Sequence, residues 1–369
     1  MSELNRRELI NLGAAALAGA GLPTLARAQE ERSFAPQPGE WRSFEVTTRV
    51  ELLDPKGTTQ VWLPLPSVDR EFQQSLSHRW SGNAKSAQIV SDTRYGASML
   101  HAEFDEATPA PTLSVTSGVR TRGRTVDWQR PQPATEDART LRAWTAPTEL
   151  ITTDGIVRAT AREAIGSARS DEEQVRRIYD WVVSHTYREP KVRGCGVGDI
   201  KTMLEFGNLG GKCGDINGLF VGLCRSIGIP ARDVYGIRLV PSAFGYRELG
   251  GNPGKLQGAQ HCRAEVHLKR HGWVAMDPAD VGKVMRLESP EWIRDTAHPL
   301  IAPVNKGLFG GWEGNWMAFN TAHDVTLPGS THGKLGFFMY PQAENARGRY
   351  DPLEPDRFRY TITAVELKA

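Results

Sequence analysis

The chain is poor in cysteine, with four in 369 residues: Cys195, Cys213, Cys224 and Cys262. A disulfide scaffold needs more cross-links in a much shorter chain. No Cys-x-x-Cys pair is present to begin a zinc ribbon. One or two bridges among the four remain open. Excess charge is also lacking. A formal net charge of +2 without a Lys/Arg-rich block argues against a nucleic-acid partner. No apolar run approaches the roughly 18 residues of a membrane span, so no integral membrane association is expected. No internal repeat recurs at a fixed period. A phosphate loop is absent too. "GNLGGKC" has Phe206 where the first glycine is required and Cys213 in place of the hydroxyl residue. What remains is an ordinary globular composition, 39% apolar and 24% charged, with length for two or three domains.

The N-terminus differs from the rest. "NRRELINLGAAALAGAGLPTLARA" places Arg6 and Arg7 before a short apolar stretch and ends in Ala26-Arg27-Ala28, a small-x-small cleavage pattern. This reads as a secretory signal of twin-arginine type over residues 1–28, cleaved near Ala28. Its removal leaves a nearly neutral chain in a periplasmic or secreted setting. Residues 40–128 read as an N-terminal β domain. "FEVTTRVELL", "TTQVWLPLP" and "APTLSVTSGV" are strand candidates, separated by Gly, Pro, Asp and Asn. "RPQPATEDA" is a polar linker. Helices are expected from about Asp154 to Ala168 and from Ser170, where Glu173 completes a capping box and Val175, Ile178, Val182 and His185 form a stripe. "KVRGCGVGDI" reads as a glycine-rich loop. A helix follows Cys213, with Ile216, Phe220, Leu223, Cys224 and Ile227 on one side, until Gly228 and Pro230 stop it. "ARDVYGIRLV", "QHCRAEVHL" and "WVAMDP" are strands. Residues 286–369 read as a C-terminal β extension.

The chemistry concentrates at "GGKCGDINGLF". Cys213 sits where a glycine turn enters a helix, and the partial positive charge of a helix N-terminus favours a thiolate there. Lys212 adds to the field. First-turn N–H groups lack intrahelical partners and can donate to a developing oxyanion. A thiolate nucleophile pairs with a base, and that base with an orienting group. His261 and Asp277 are the candidates. A three-residue turn between their strands would put Asp277 opposite Glu265 and on the face of His261; a two-residue turn would put it on the other face. The sequence leaves the turn open. Alternation places His261 and Cys262 on opposite sides of their strand. Cys224 reads as a buried small hydrophobe, Cys195 and Cys262 as structural or paired, and Tyr187 as packing or a weak oxyanion or substrate contact. His261, Glu265, His267 and Cys213 include good metal-ligand types, but Val266 and the Gly-Trp turn favour a strand over the helix that the spacing would need, so no metal is expected.

"GGKCGDINGLFVGLCRSIGIPAR", "QHCRAEVHL" and "HGWVAMDPAD", in that order, resemble the three catalytic blocks of the transglutaminase-like superfamily. The resemblance implies an α+β, papain-like core over 150–285, with helices packed on an antiparallel sheet and β segments on either side. It implies Cys213 as nucleophile, His261 as general base and acid, and Asp277 as orienter. The implied reaction is acyl transfer on peptide or protein amides through a thioester, ending in hydrolysis with water and transamidation with an amine. No cofactor is implied, and the expected partner is a peptide or protein substrate. A catalytically idle peptide-binding module of the cell envelope is the alternative, since the family also holds inactive members. Arg263 stands where many members carry an aromatic residue. Substrate identity and oligomeric state are not readable from these blocks.

Overall fold

A computed structural model describes residues 32–53, 55–133 and 135–368. The signal-peptide reading of residues 1–28 lies outside them. Among the described residues, no helix is long and apolar enough to cross a membrane.

The centre of the fold is a four-stranded antiparallel sheet, ordered Gly272–Met276, Gln260–Leu268, Ala231–Arg238, Trp316–Asn320. The helix Cys213–Ser226 packs on it and is buried along its whole length. Such a helix must be apolar on nearly every face, and Ile216, Leu219, Phe220, Val221, Leu223 and Cys224 meet that need. The helices Gly155–Ile165 and Asp171–His185 pack against it from outside. Ser170 caps the second of these by accepting from the Glu173 N–H at 3.2 Å, as the capping-box pattern predicts.

The flanking strands build a two-sheet sandwich. One sheet is ordered Phe358–Leu367, Arg42–Leu52, Thr112–Thr121, Gln73–Gly82. The other is Gly348–Arg349, Gln342–Asn345, Thr59–Pro64, Ser98–Phe104, Ser86–Ser91. Val50, Leu63, Leu100, Phe104, Val115 and Phe358 fill the space between them. These pairings cross the boundaries expected at 128 and 286. The last long strand lies beside the first, with Thr47 opposite Thr363, and Trp316–Asn320 completes the central sheet. A boundary drawn from local composition carries no information about pairings between residues hundreds of positions apart. Phe44, Val46, Val119, Ile362 and Ala364 also belong to the main core, so the sandwich and the central sheet share apolar packing.

The strands carrying His261 and Asp277 are joined by a three-residue turn, Lys269–His271, with Leu268 opposite Gly272. That register puts Ala275, not Asp277, opposite Glu265. Asp277 falls one step beyond the strand, in line with Arg263. Its side remains that of His261, because the side-chain period is two. Asp277 also begins something the sequence reading missed. It is the N-cap of a helix, Pro278–Leu287, and accepts from the Asp280 N–H at 3.2 Å. Asp followed by proline at the first helical position is a helix-start signal as much as a strand-ending turn.

Candidate active site

The approach to Cys213 is rigidly built. Gly210–Gly211 pairs in parallel with Tyr187–Arg188 and leads directly into the helix. The buried carboxylate of Asp215 then ties three segments together. It accepts from the Lys212 N–H at 2.9 Å, and from the Val197 and Gly198 N–H groups at 2.9 and 2.8 Å. Gly196 has a φ of +86°, and a Cβ there would enter the space of that carboxylate, so this loop position requires glycine. The Cys195 carbonyl accepts from the Gly214 N–H at 2.8 Å. The Lys212 and Gly214 amides are therefore already engaged, and the Cys213 N–H is the first-turn donor beside the thiol. Tyr187 lies on the strand paired with Gly210–Gly211, its ring centroid 5.6 Å from that of Trp292.

Cys213, His261 and Asp277 come together in the interior, with Cys213 and His261 each 2% exposed. Residues 260–263 run past the end of the neighbouring 272–276 strand, which leaves the Cys262 carbonyl without a partner on that edge. Asn217, one turn after Cys213, fills the gap. Its amide donates to that carbonyl at 2.9 Å and to Asp277 Oδ1 at 3.1 Å, and its oxygen accepts from the Ala279 N–H at 3.2 Å. One side chain thus links the cysteine helix, the histidine strand and the aspartate. Cys195, Cys262 and His261 all lie close enough to Cys213 to act on its thiol.

His261 Nε2 lies 2.7 Å from Asp277 Oδ2 and 3.2 Å from Asp280 Oδ2. With Nε2 held by carboxylates, Nδ1 is the nitrogen left for the thiol. Asp280 in turn pairs with Arg238, buried on the adjacent strand. Arg263 Nε sits 3.7 Å from Asp277 Oδ2, and its guanidinium lies over the rings of Trp312 and Trp316. Burial lowers Arg263 to about 10.

The protonation pattern follows from these contacts. The neighbouring Cys195 and Cys262 thiols hold the Cys213 thiol well below its usual range; burial opposes them and His261 reinforces them. Burial and the Arg238 charge pull His261 down, but Asp280 and Asp277 outweigh them and raise it to about 9. Burial and then the neighbouring Asp280 charge push Asp277 up. Asp280, against its burial, is held well below the carboxylate range by Arg238 and His261. A thiolate–imidazolium pair is the state these neighbours favour. Atoms of His261, Asp277 and Asp280 lie within 4.8 Å of one another, a spacing that could suit a cation. Arg238 pairs with Asp280 and Arg263 lies beside Asp277, so each carboxylate already faces a guanidinium. Glu265, another of the ligand types weighed from sequence, is held by Arg124 and Arg232.

The family model of the transglutaminase-like superfamily matches residues 158–278. An uncharacterized protein of Haemophilus influenzae is 34% identical over 343 residues, covering 88% of this chain and 91% of its own. The chain belongs to the transglutaminase-like superfamily. A crystal structure of a candidate cysteine protease from Cytophaga hutchinsonii shares the fold, with a TM-score of 0.55 and 15% identity over 90% of this chain and 92% of the other. The periplasmic domain of TgpA from Pseudomonas aeruginosa is a more distant match, with a TM-score of 0.34 and 19% identity over 70% of this chain and 96% of that domain.

Within this transglutaminase-like frame, the sequence reading passed over Asn217 and Asp280, which touch the candidate site residues, and Arg238, which touches Asp280. Asn217 had a signal, since an amide four residues after the cysteine on an otherwise apolar helix demands a buried partner. Asp280 had one in the Asp-Pro helix start. Arg238 had none, because nothing local marks which strand residue will meet Asp280.

Proposed function

We propose that this transglutaminase-like protein is an exported cysteine enzyme that attacks peptide or protein amide bonds through a thioester. The observation that carries this reading is the placement of Cys213 beside His261, whose Nε2 lies 2.7 Å from Asp277, with Asp280 as a second carboxylate on the same imidazole nitrogen. The export component rests on the signal pattern of residues 1–28.

The Cys213 thiolate attacks the carbonyl carbon, and the carbonyl π electrons move to oxygen. The Cys213 N–H is placed to donate to that oxyanion. As the intermediate collapses, the C–N bond breaks and His261 gives its proton to the departing amine. This leaves a thioester and neutral His261. Water or an incoming amine then attacks, His261 takes its proton, and the thiolate departs. Asp277 holds the imidazole with Nε2–H turned away from the thiol, and both carboxylates stabilise the imidazolium.

Incubation with iodoacetamide and mapping of the modified cysteine tests the nucleophile. Selective labelling of Cys213, lost in His261→Ala, is expected. A folded protein with Cys213 unreactive contradicts the proposal and favours the idle binding module. Peptide-amide turnover with and without a primary amine separates hydrolysis from transamidation.

A further inference from the structure

Three of the four cysteines converge on one sulfur, and the reaction above uses only one. All four are free thiols. Cys224 stands apart, its thiol pushed well up by burial. Cys195 and Cys262 both neighbour Cys213, the Cys195 carbonyl accepting from the Gly214 N–H at 2.8 Å and the Cys262 carbonyl from Asn217 at 2.9 Å, but they are held differently. Cys262 is mid-strand, opposite Tyr235 in the sheet, with its carbonyl fixed by Asn217. Cys195 is in a loop between Gly194 and Gly196, with Gly198 just beyond, all at positive φ. Its Sγ donates to the Gln260 carbonyl at 3.3 Å. Closing two neighbouring thiols to the roughly 2.05 Å of a covalent S–S bond requires one of them to move. The loop cysteine is outside any sheet and can turn its side chain; the strand cysteine is held on both sides, by sheet pairing and by Asn217. The Asp215 carboxylate and the Gly214 N–H meanwhile keep the loop against the start of the helix.

We propose that Cys195 is a resolving cysteine, which converts oxidised Cys213 into a reversible Cys195–Cys213 disulfide. The inference rests on Cys213 being the reactive thiolate of the proposed function. In the first step, the thiolate attacks one oxygen of hydrogen peroxide. An S–O bond forms, the O–O bond breaks, hydroxide departs as water after gaining a proton, and the sulfur is oxidised by two electrons to a sulfenic acid. In the second, the Cys195 sulfur attacks the sulfenic sulfur. The S–S bond forms, the S–O bond breaks, and hydroxide leaves with the proton from the Cys195 thiol as water. The disulfide withdraws the nucleophile and protects it from irreversible oxidation; a dithiol restores it.

The test is direct. The full chain is treated with one to two equivalents of hydrogen peroxide, its free thiols are alkylated, and tryptic peptides are mapped. The expected product links peptide 194–201 to peptide 213–225 through Cys213, leaves Cys224 and Cys262 alkylated, and disappears with dithiothreitol. Cys262→Ala should still form it. Cys195→Ser should instead carry sulfinic acid on Cys213, which dithiothreitol does not reverse. A link from Cys213 to Cys262, or sulfinic acid on wild-type Cys213 with Cys195 still free, overturns the assignment. Iodoacetamide labelling before oxidation is the separate readout for the underlying reading, and a Cys213 unreactive at that stage overturns both.

Discussion

The strand Gln260–Leu268 carries two buried charge clusters with opposite characters. Toward its C-terminal end, Glu265 accepts from Arg124 with one oxygen and from Arg232, at 2.6 Å, with the other. Burial alone would raise its carboxyl, but the Arg232 and Arg124 charges hold it below the usual range. Trp273 covers the Arg232 guanidinium at 3.8 Å. Every strong group there ends on a partner, and none faces a reactive atom. Four residues earlier, the cluster around His261 ends on a thiol. One strand thus holds a closed network and an open-ended one. Burial alone does not make a cluster reactive; a proton with two competing homes does.

Substitutions break this comparison at different points. The largest effect is expected for His261→Ala, which removes the proposed general acid and base and lowers amide turnover by roughly 10²–10⁴-fold, alongside slower Cys213 alkylation at neutral pH. Glu265→Gln at the closed cluster should act on stability alone. Breaking one side of a buried ion pair costs about 3–5 kcal/mol, read by denaturant unfolding, while alkylation of Cys213 in the folded fraction keeps its rate. If that rate falls as it does in His261→Ala, the two clusters are one network and the distinction fails. Asp280→Asn removes one of the two carboxylates on His261. The alkaline limit of turnover should drop from about 9, by about one pH unit, equivalent to a tenfold change in the protonation equilibrium. Asn217→Ala should have the mildest effect, loosening the alignment of Asp277. Its expected signature is a lower kcat with little change in KM, checked with a saturating amide substrate.

The sign of the pH dependence follows from the two shifts. Cys213 is lowered and His261 is raised, so the thiolate–imidazolium pair spans the range between them. Activity should rise as Cys213 ionises, stay level through neutral pH, and fall as His261 loses its proton near about 9. Two groups with unshifted values would give the reverse, a neutral pair over much of that range.

The parts of this molecule that could be read from its sequence are those with local signatures. The helix after Cys213 declares itself through apolar spacing, the Ser170 cap through Glu173, and the order of the three blocks points to Cys213, His261 and Asp277 before any geometry is known. The parts that could not be read depend on long-range closure. Phe358–Leu367 pairs with Arg42–Leu52 across almost the whole chain, and no local pattern names that partner. The second carboxylate on His261 arrives because Pro278–Leu287 is helical and turns Asp280 back toward the strand. Cys195 reaches Cys213 only through the fold of the glycine loop and its three hydrogen bonds to Asp215 and Gly214. Spacing between cysteines said nothing of that meeting.

The central claim is that Cys213 rests as a thiolate paired with protonated His261. The most direct measurement is the pH dependence of its alkylation by iodoacetamide, with the modified residue mapped at each pH. The account predicts selective modification of Cys213 already well below the ordinary thiol range, and an upward shift of that profile in His261→Ala. A profile that titrates at the ordinary thiol value and is unchanged by His261→Ala would contradict it.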